Sequence, residues 1–123
     1  MRWINALTDC TATTARATAC FAADDFAVSE GAVLESALVE CVAQTVAAAM
    51  GQRAQAGGGK SGAMQNGMLV AASNFKIHRR PVAGETLQID IRETKRLGPM
   101  LLIAGTISCA DQIIATGELS LYA

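Results

Sequence analysis

Histidine is almost absent from this chain: His78 is the only one in 123 residues. Zinc and related metals need several nitrogen or thiolate ligands converging on one point, so no metal set is expected. The four cysteines, Cys10, Cys20, Cys41 and Cys109, lie far apart with no C-x-x-C pair. They suggest neither a thiolate cluster nor a disulfide framework, and reduced thiols are expected. Aromatic residues are 4% of the chain, too few for platforms that stack nucleic-acid bases. Charged residues are 17% and the net charge is −1, which leaves no basic field for nucleic acid or an anionic membrane. No run approaches the roughly 20 apolar residues of a membrane span. Residues 1–11 carry Asn5 and Asp9 where a signal peptide needs an apolar core. We expect a cytoplasmic protein that uses no cofactor.

What is abundant is apolar surface, 51% of residues, enough for one core in a chain of single-domain length. Residues 11–21 alternate loosely, with Thr13, Ala15, Ala17, Ala19 and Phe21 on one side, and read as a strand. Residues 30–53 hold good helix formers, no proline, and no glycine between Gly31 and Gly51. At about 1.5 Å per residue such a helix is roughly 35 Å long, the span of a whole small domain. Four strand-like runs follow, at 68–79, 86–94, 100–109 and 113–122, separated by turn signals at 81–84, 97–99 and 109–112. The expected order is strand, long helix, then four strands paired as an antiparallel meander: an α+β domain over residues 1–123.

The helix is apolar almost all round, through Leu34, Ala37, Leu38, Val39, Cys41, Val42, Ala43, Val46, Ala47, Ala48, Ala49 and Met50. Such a helix has to be covered on nearly every side. One sheet wraps only part of it, so a partner subunit is expected over the rest. Within this stretch stand Glu40 and Gln44, four residues apart and therefore on one face. Burying a carboxylate costs on the order of several kcal/mol unless it is paired or protonated. In an apolar pocket it becomes a candidate general acid. The plainer reading has Glu40 hydrogen-bonded to Gln44 at a wet subunit seam.

Other polar features are weaker. The run 54–61, Ala-Gln-Ala-Gly-Gly-Gly-Lys-Ser, satisfies a relaxed phosphate-loop pattern. It leaves a helix and leads to a strand, however, the reverse of the arrangement that places phosphate on a helix amino terminus. Residues 55–67 are read as a connecting loop, and Cys41 as core.

At the helix the chain resembles the 3-hydroxyacyl-acyl carrier protein dehydratases of fatty acid and polyketide synthesis. The residues that carry the resemblance are Leu38-Val39-Glu40-Cys41-Val42-Ala43-Gln44, Asn74-Phe75-Lys76-Ile77, and Arg80-Pro81-Val82-Ala83-Gly84-Glu85-Thr86-Leu87, the last matching a "V-x-G-[DE]-x-L" turn. It implies a hotdog fold, an antiparallel sheet wrapped around one central helix. It also implies an acyl thioester, carried on acyl carrier protein or coenzyme A, in a tunnel at the interface of a homodimer or higher oligomer. By the same resemblance Glu40 is the catalytic acid and Gln44 orients it. Backbone N–H groups of Gly31, Ala32 and Val33 polarise the thioester carbonyl. Lys76, Arg79 and Arg80 form a basic cluster for docking an acidic carrier protein, or simply a solvated strand end.

One departure stands out. Dehydration needs a base beside the acid, and the family's histidine lies upstream of the helix in a "His-Phe-Pro" motif. Here that stretch is Asp24-Asp25-Phe26-Ala27-Val28. Asp24 and Asp25 are substitutes on paper, or a solvated helix entry. By alternation His78 shares a strand face with Asn74 and Lys76, and reads as solvent-facing. Three functions stay open: a dehydratase, a thioesterase of the same fold in which one helix carboxylate suffices, and a non-catalytic subunit paired with a paralogue that carries the histidine.

Overall fold

The computed structural model describes residues 3–56 and 68–122. The strict alternation in residues 100–109 forms a strand whose odd-numbered side chains are buried, and its neighbours follow the same rule. The described residues form eight strands and one helix: β1 (Ile4–Cys10), β2 (Thr14–Cys20), β3 (Val28–Ser29), β4 (Ala32–Val33), α1 (Glu35–Ala56), β5 (Met68–Ile77), β6 (Thr86–Leu97), β7 (Met100–Cys109) and β8 (Gln112–Tyr122). Six strands make one antiparallel sheet in the order β1-β2-β6-β7-β8-β5, and β3 and β4 form a separate hairpin.

Helix α1 lies across one face of that sheet. Ala37, Leu38, Cys41, Val42, Val46 and Ala49 are buried against Ala15, Ala17, Ala19, Leu87, Ile89, Ile103, Ile107 and Leu119. Small residues let the helix come close: a Cβ added to Gly105 in β7 would stand 2.7 Å from Val42 Cγ1. Thr45, fully buried, returns its hydroxyl to the Cys41 carbonyl at 2.8 Å and leaves no unpaired polar atom. Arg53 in the last turn donates to the carbonyls of Thr11 and Thr14, which anchors the helix end to the β1–β2 turn.

Several expectations from sequence are corrected. The helix begins at Glu35 rather than at residue 30, because Glu30 and Gly31 both adopt positive φ (54° and 79°) in the tight β3–β4 turn. Two positive values in succession are the signature of a type I′ hairpin, which excludes helix there. A whole strand, β1, precedes β2. Its residues are mostly exposed and its pairing is interrupted by two register shifts, so no alternation marked it. The last four strands are not a simple meander. β6, β7 and β8 are, but β5 pairs with β8 at the far edge, while β6 pairs with β2. The segment from His78 to Glu85 carries the chain over the end of the sheet, with the N–H of His78 and Arg79 donating to Ile114. Strand β5 accordingly stops at Ile77, and β6 runs on to Leu97. Most of the glycine-rich run at 55–67 lies outside the described residues.

Candidate active site around Glu40

Glu40 and Gln44 occupy the side of α1 that the sheet leaves uncovered, together with Ser36 and Ala47. In the single chain Glu40 is exposed, not enclosed by its own fold as expected from the apolar sequence around it. The reason is geometric. The sheet of one chain covers one flank of the helix, and Glu40 projects from the other.

Gln44 is held firmly. Its Oε1 accepts the backbone N–H of Trp3 at 2.8 Å and of Ile4 at 3.2 Å. Two donors on one oxygen fix which end of the amide is which. The NH2 end therefore turns toward Glu40, and Nε2 donates to Glu40 Oε2 over a long 3.4 Å. Trp3 is itself anchored, with its ring 5.4 Å from Phe21 and 5.6 Å from Phe26, and its Nε1 donating to Asp25 Oδ2 at 3.2 Å. Cys41 points inward, and burial foremost, with the neighbouring Glu40 second, pushes its thiol up to about 12. A thiol so far from ionising is packing, not a nucleophile.

The other residues singled out from sequence fall elsewhere. Gly31, Ala32 and Val33 sit in the β3–β4 hairpin ahead of the helix, and the N–H of Val33 is taken by the Pro81 carbonyl at 2.8 Å. Arg79 forms a two-pronged pair with Glu85, at 2.9 and 3.3 Å. Arg80 donates to the carbonyls of Val33 and Ala32. Of the basic cluster, only Arg79 forms an ion pair among the described residues; Arg80 is held by backbone carbonyls, and no such bond engages Lys76. His78 is exposed, and its backbone bonds to β8, next to the sheet edge opposite the β1 side that holds Gln44. Asp24 is exposed, whereas Asp25 uses one carboxylate oxygen for Trp3 and the other for the N–H of Ala27. Among the described residues no group of three histidine, cysteine or acidic side chains is arranged to hold a metal.

Sequence reasoning missed two contributors. Trp3, the only tryptophan, lies in a segment from which no site residue was expected. Glu85 is the joint of the 79–85 turn: it bonds Arg79, accepts the N–H of Val82 and the thiol of Cys109, and is pulled down to about 2 chiefly by Arg79. Its place in the "V-x-G-[DE]-x-L" pattern was the only available signal.

Comparison with solved structures places this fold firmly. The dehydratase heterocomplex ApeI:P from Xenorhabdus doucetiae superposes with a TM-score of 0.82 at 16% identity, covering 98% of this chain and 82% of that one. A Streptococcus mutans UA159 protein bound to acetyl-CoA gives 0.76 at 11% identity, covering 99% and 88%. Zebra fish thioesterase superfamily member 2 gives 0.73 at 13% identity, covering 94% and 78%. At such identities the likeness is one of fold, and the fold is the hotdog. No curated protein matches the sequence. No helix among the described residues is long and apolar enough to cross a membrane. A family model described as ApeP-like, ApeP dehydratase, matches residues 1–123 from end to end, and the chain belongs to that dehydratase family.

Proposed function

We propose that this chain is a cytoplasmic dehydratase subunit that works with a paralogous hotdog subunit on a 3-hydroxyacyl thioester, supplying Glu40 as the acid. The observation that carries this reading is the position of Glu40: it is held by Gln44 on a helix flank that its own chain does not cover. The chain's only histidine is tied to β8, on the other side of the sheet from β1. A base for the reaction therefore comes from a second subunit laid over that flank. The likeness to the dehydratase heterocomplex ApeI:P supports pairing with a second subunit.

In that seam the partner's base takes the proton from the carbon next to the thioester carbonyl. The electron pair forms the carbon–carbon double bond, and the hydroxyl on the next carbon leaves as water with the proton of Glu40. The acyl group arrives on acyl carrier protein or coenzyme A. Lys76 is the cation of its cluster left uncommitted to the fold, and so the one offered to an acidic carrier.

The test is turnover of a short 3-hydroxyacyl thioester by the chain co-purified with its paralogue, following double-bond absorbance and free thiol together. Absorbance without thiol is expected, and Glu40→Gln is expected to lower it at least 100-fold, the scale of a lost general acid. His78→Ala is expected to leave it unchanged. Thiol release would instead identify a thioesterase, and full turnover by Glu40→Gln would remove Glu40 from the chemistry.

A further inference from the structure

We infer that Asp25 and Trp3 are positioning residues for Glu40, acting through Gln44. This rests on the reading of Glu40 as the acid and extends it to residues that carry no dehydratase motif. Four side chains from three separate stretches of sequence form one relay. The Asp25 carboxylate is itself fixed, because Oδ1 accepts the N–H of Ala27 at 2.9 Å. Oδ2 then receives the Trp3 indole at 3.2 Å. The indole is further confined between Phe21, which is 1% exposed, and Phe26. Holding the ring places the backbone of residues 3 and 4, whose N–H groups converge on Gln44 Oε1. The amide orientation that results presents Nε2 to Glu40.

The sheet does only part of this work. β1 and β2 slip in register between the Ile4↔Ala19 and Leu7↔Ala17 pairs. Ile4 is set by its pairing with Ala19, but the bulge follows at once and Trp3 lies ahead of the first paired residue, so the ladder does not fix the Trp3 side chain. The indole–carboxylate bond supplies the missing constraint. It also explains why Asp25, in the stretch where the resembled family keeps a histidine, is not that base: Oδ2 holds the Trp3 indole and Oδ1 the N–H of Ala27.

The experiment uses the full chain with its paralogous partner and a short 3-hydroxyacyl thioester. Trp3→Phe keeps the ring and deletes the N–H donor. It is expected to lower kcat about tenfold with KM within about twofold, the mark of a misplaced group and not of lost substrate binding. Asp25→Ala is expected to do the same, and the double variant no worse than either single one, since both cut the same link. In a Gln44→Ala background Trp3→Phe is expected to cost nothing further. A second readout is independent of turnover: the side-chain amide signal of Gln44 in NMR, assigned by its loss in Gln44→Ala, is expected to move in Trp3→Phe and Asp25→Ala. Unmoved Gln44 signals, or a Trp3→Phe loss that persists undiminished without Gln44, would overturn the relay. Full activity of Glu40→Gln with shifted Gln44 signals would instead overturn the role of Glu40 and leave the relay standing.

Discussion

At the scale of single residues, the chemistry of this chain depends on which polar groups are committed to holding the fold. Arg79 and Arg80 look from sequence like a loose basic patch. One is clamped by Glu85 and the other by two backbone carbonyls. Glu85 has its carboxyl depressed from the usual 4.5 to about 2, first by Arg79 and then by the Val82 N–H. A group whose folded value is depressed contributes stability that is present above its unfolded value and lost as pH falls toward the folded one. The expected outcome is that Arg79→Ala lowers the thermal midpoint at neutral pH, and that the gap to the parent closes as pH falls from 4.5 toward 2. A melting series across that range checks it; a gap that stays constant down to pH 2 would mean that the pair contributes nothing. The Glu40–Gln44 spacing was legible at this scale because the helix period alone puts both on one face. The partners of Gln44 were not, since Trp3 and Ile4 are about 40 positions away in sequence.

At the scale of elements, the close seat of α1 on the sheet is set by small residues. A Cβ at Gly105 would meet Val42, whose branched side chain has little freedom to move aside in a helix. Gly105→Ala is therefore expected to destabilise the chain by about 1–3 kcal/mol, the usual cost of overfilling a packed contact. Urea unfolding measures this, and Val42→Ala in the same chain is expected to recover part of the loss. The strands β6 and β8 were readable from the alternation of a buried with an open face, and β7 from an almost wholly apolar run, both of its faces being at least half-covered. The hairpin of β3 and β4 was not. Good helix formers follow from Leu34 on, and only the positive φ at Glu30 and Gly31 shows that the chain turns back there first. The order of strands was equally hidden, since β5 finds its place beside β8 through long-range pairing that no local pattern records.

At the scale of the whole molecule, one chain leaves a helix flank and two sheet edges open. The flank bears Glu40 and Ala47, and Phe26 nearby is 67% exposed. An uncovered helix flank beside an exposed aromatic ring is the surface on which a second subunit is expected to sit. Ala47→Arg places a charge at its centre. Light scattering is expected to show the assembly reduced to single chains, with the far-UV circular dichroism unchanged; an intact assembly would move the interface elsewhere. The amino-acid order by itself determined an α+β domain with one long helix and the shared face of Glu40 and Gln44, because periodicity in a strand or helix is a local property of neighbouring residues. The hotdog architecture was legible only through the resemblance carried by residues 38–44, 74–77 and 80–87. Tertiary structure alone decided that Glu40 faces outward, that Arg79 and Arg80 are spent on the turn, and that Asp25 grips Trp3. Each of these depends on contacts between residues remote in the chain, which form only once the sheet has closed around the helix.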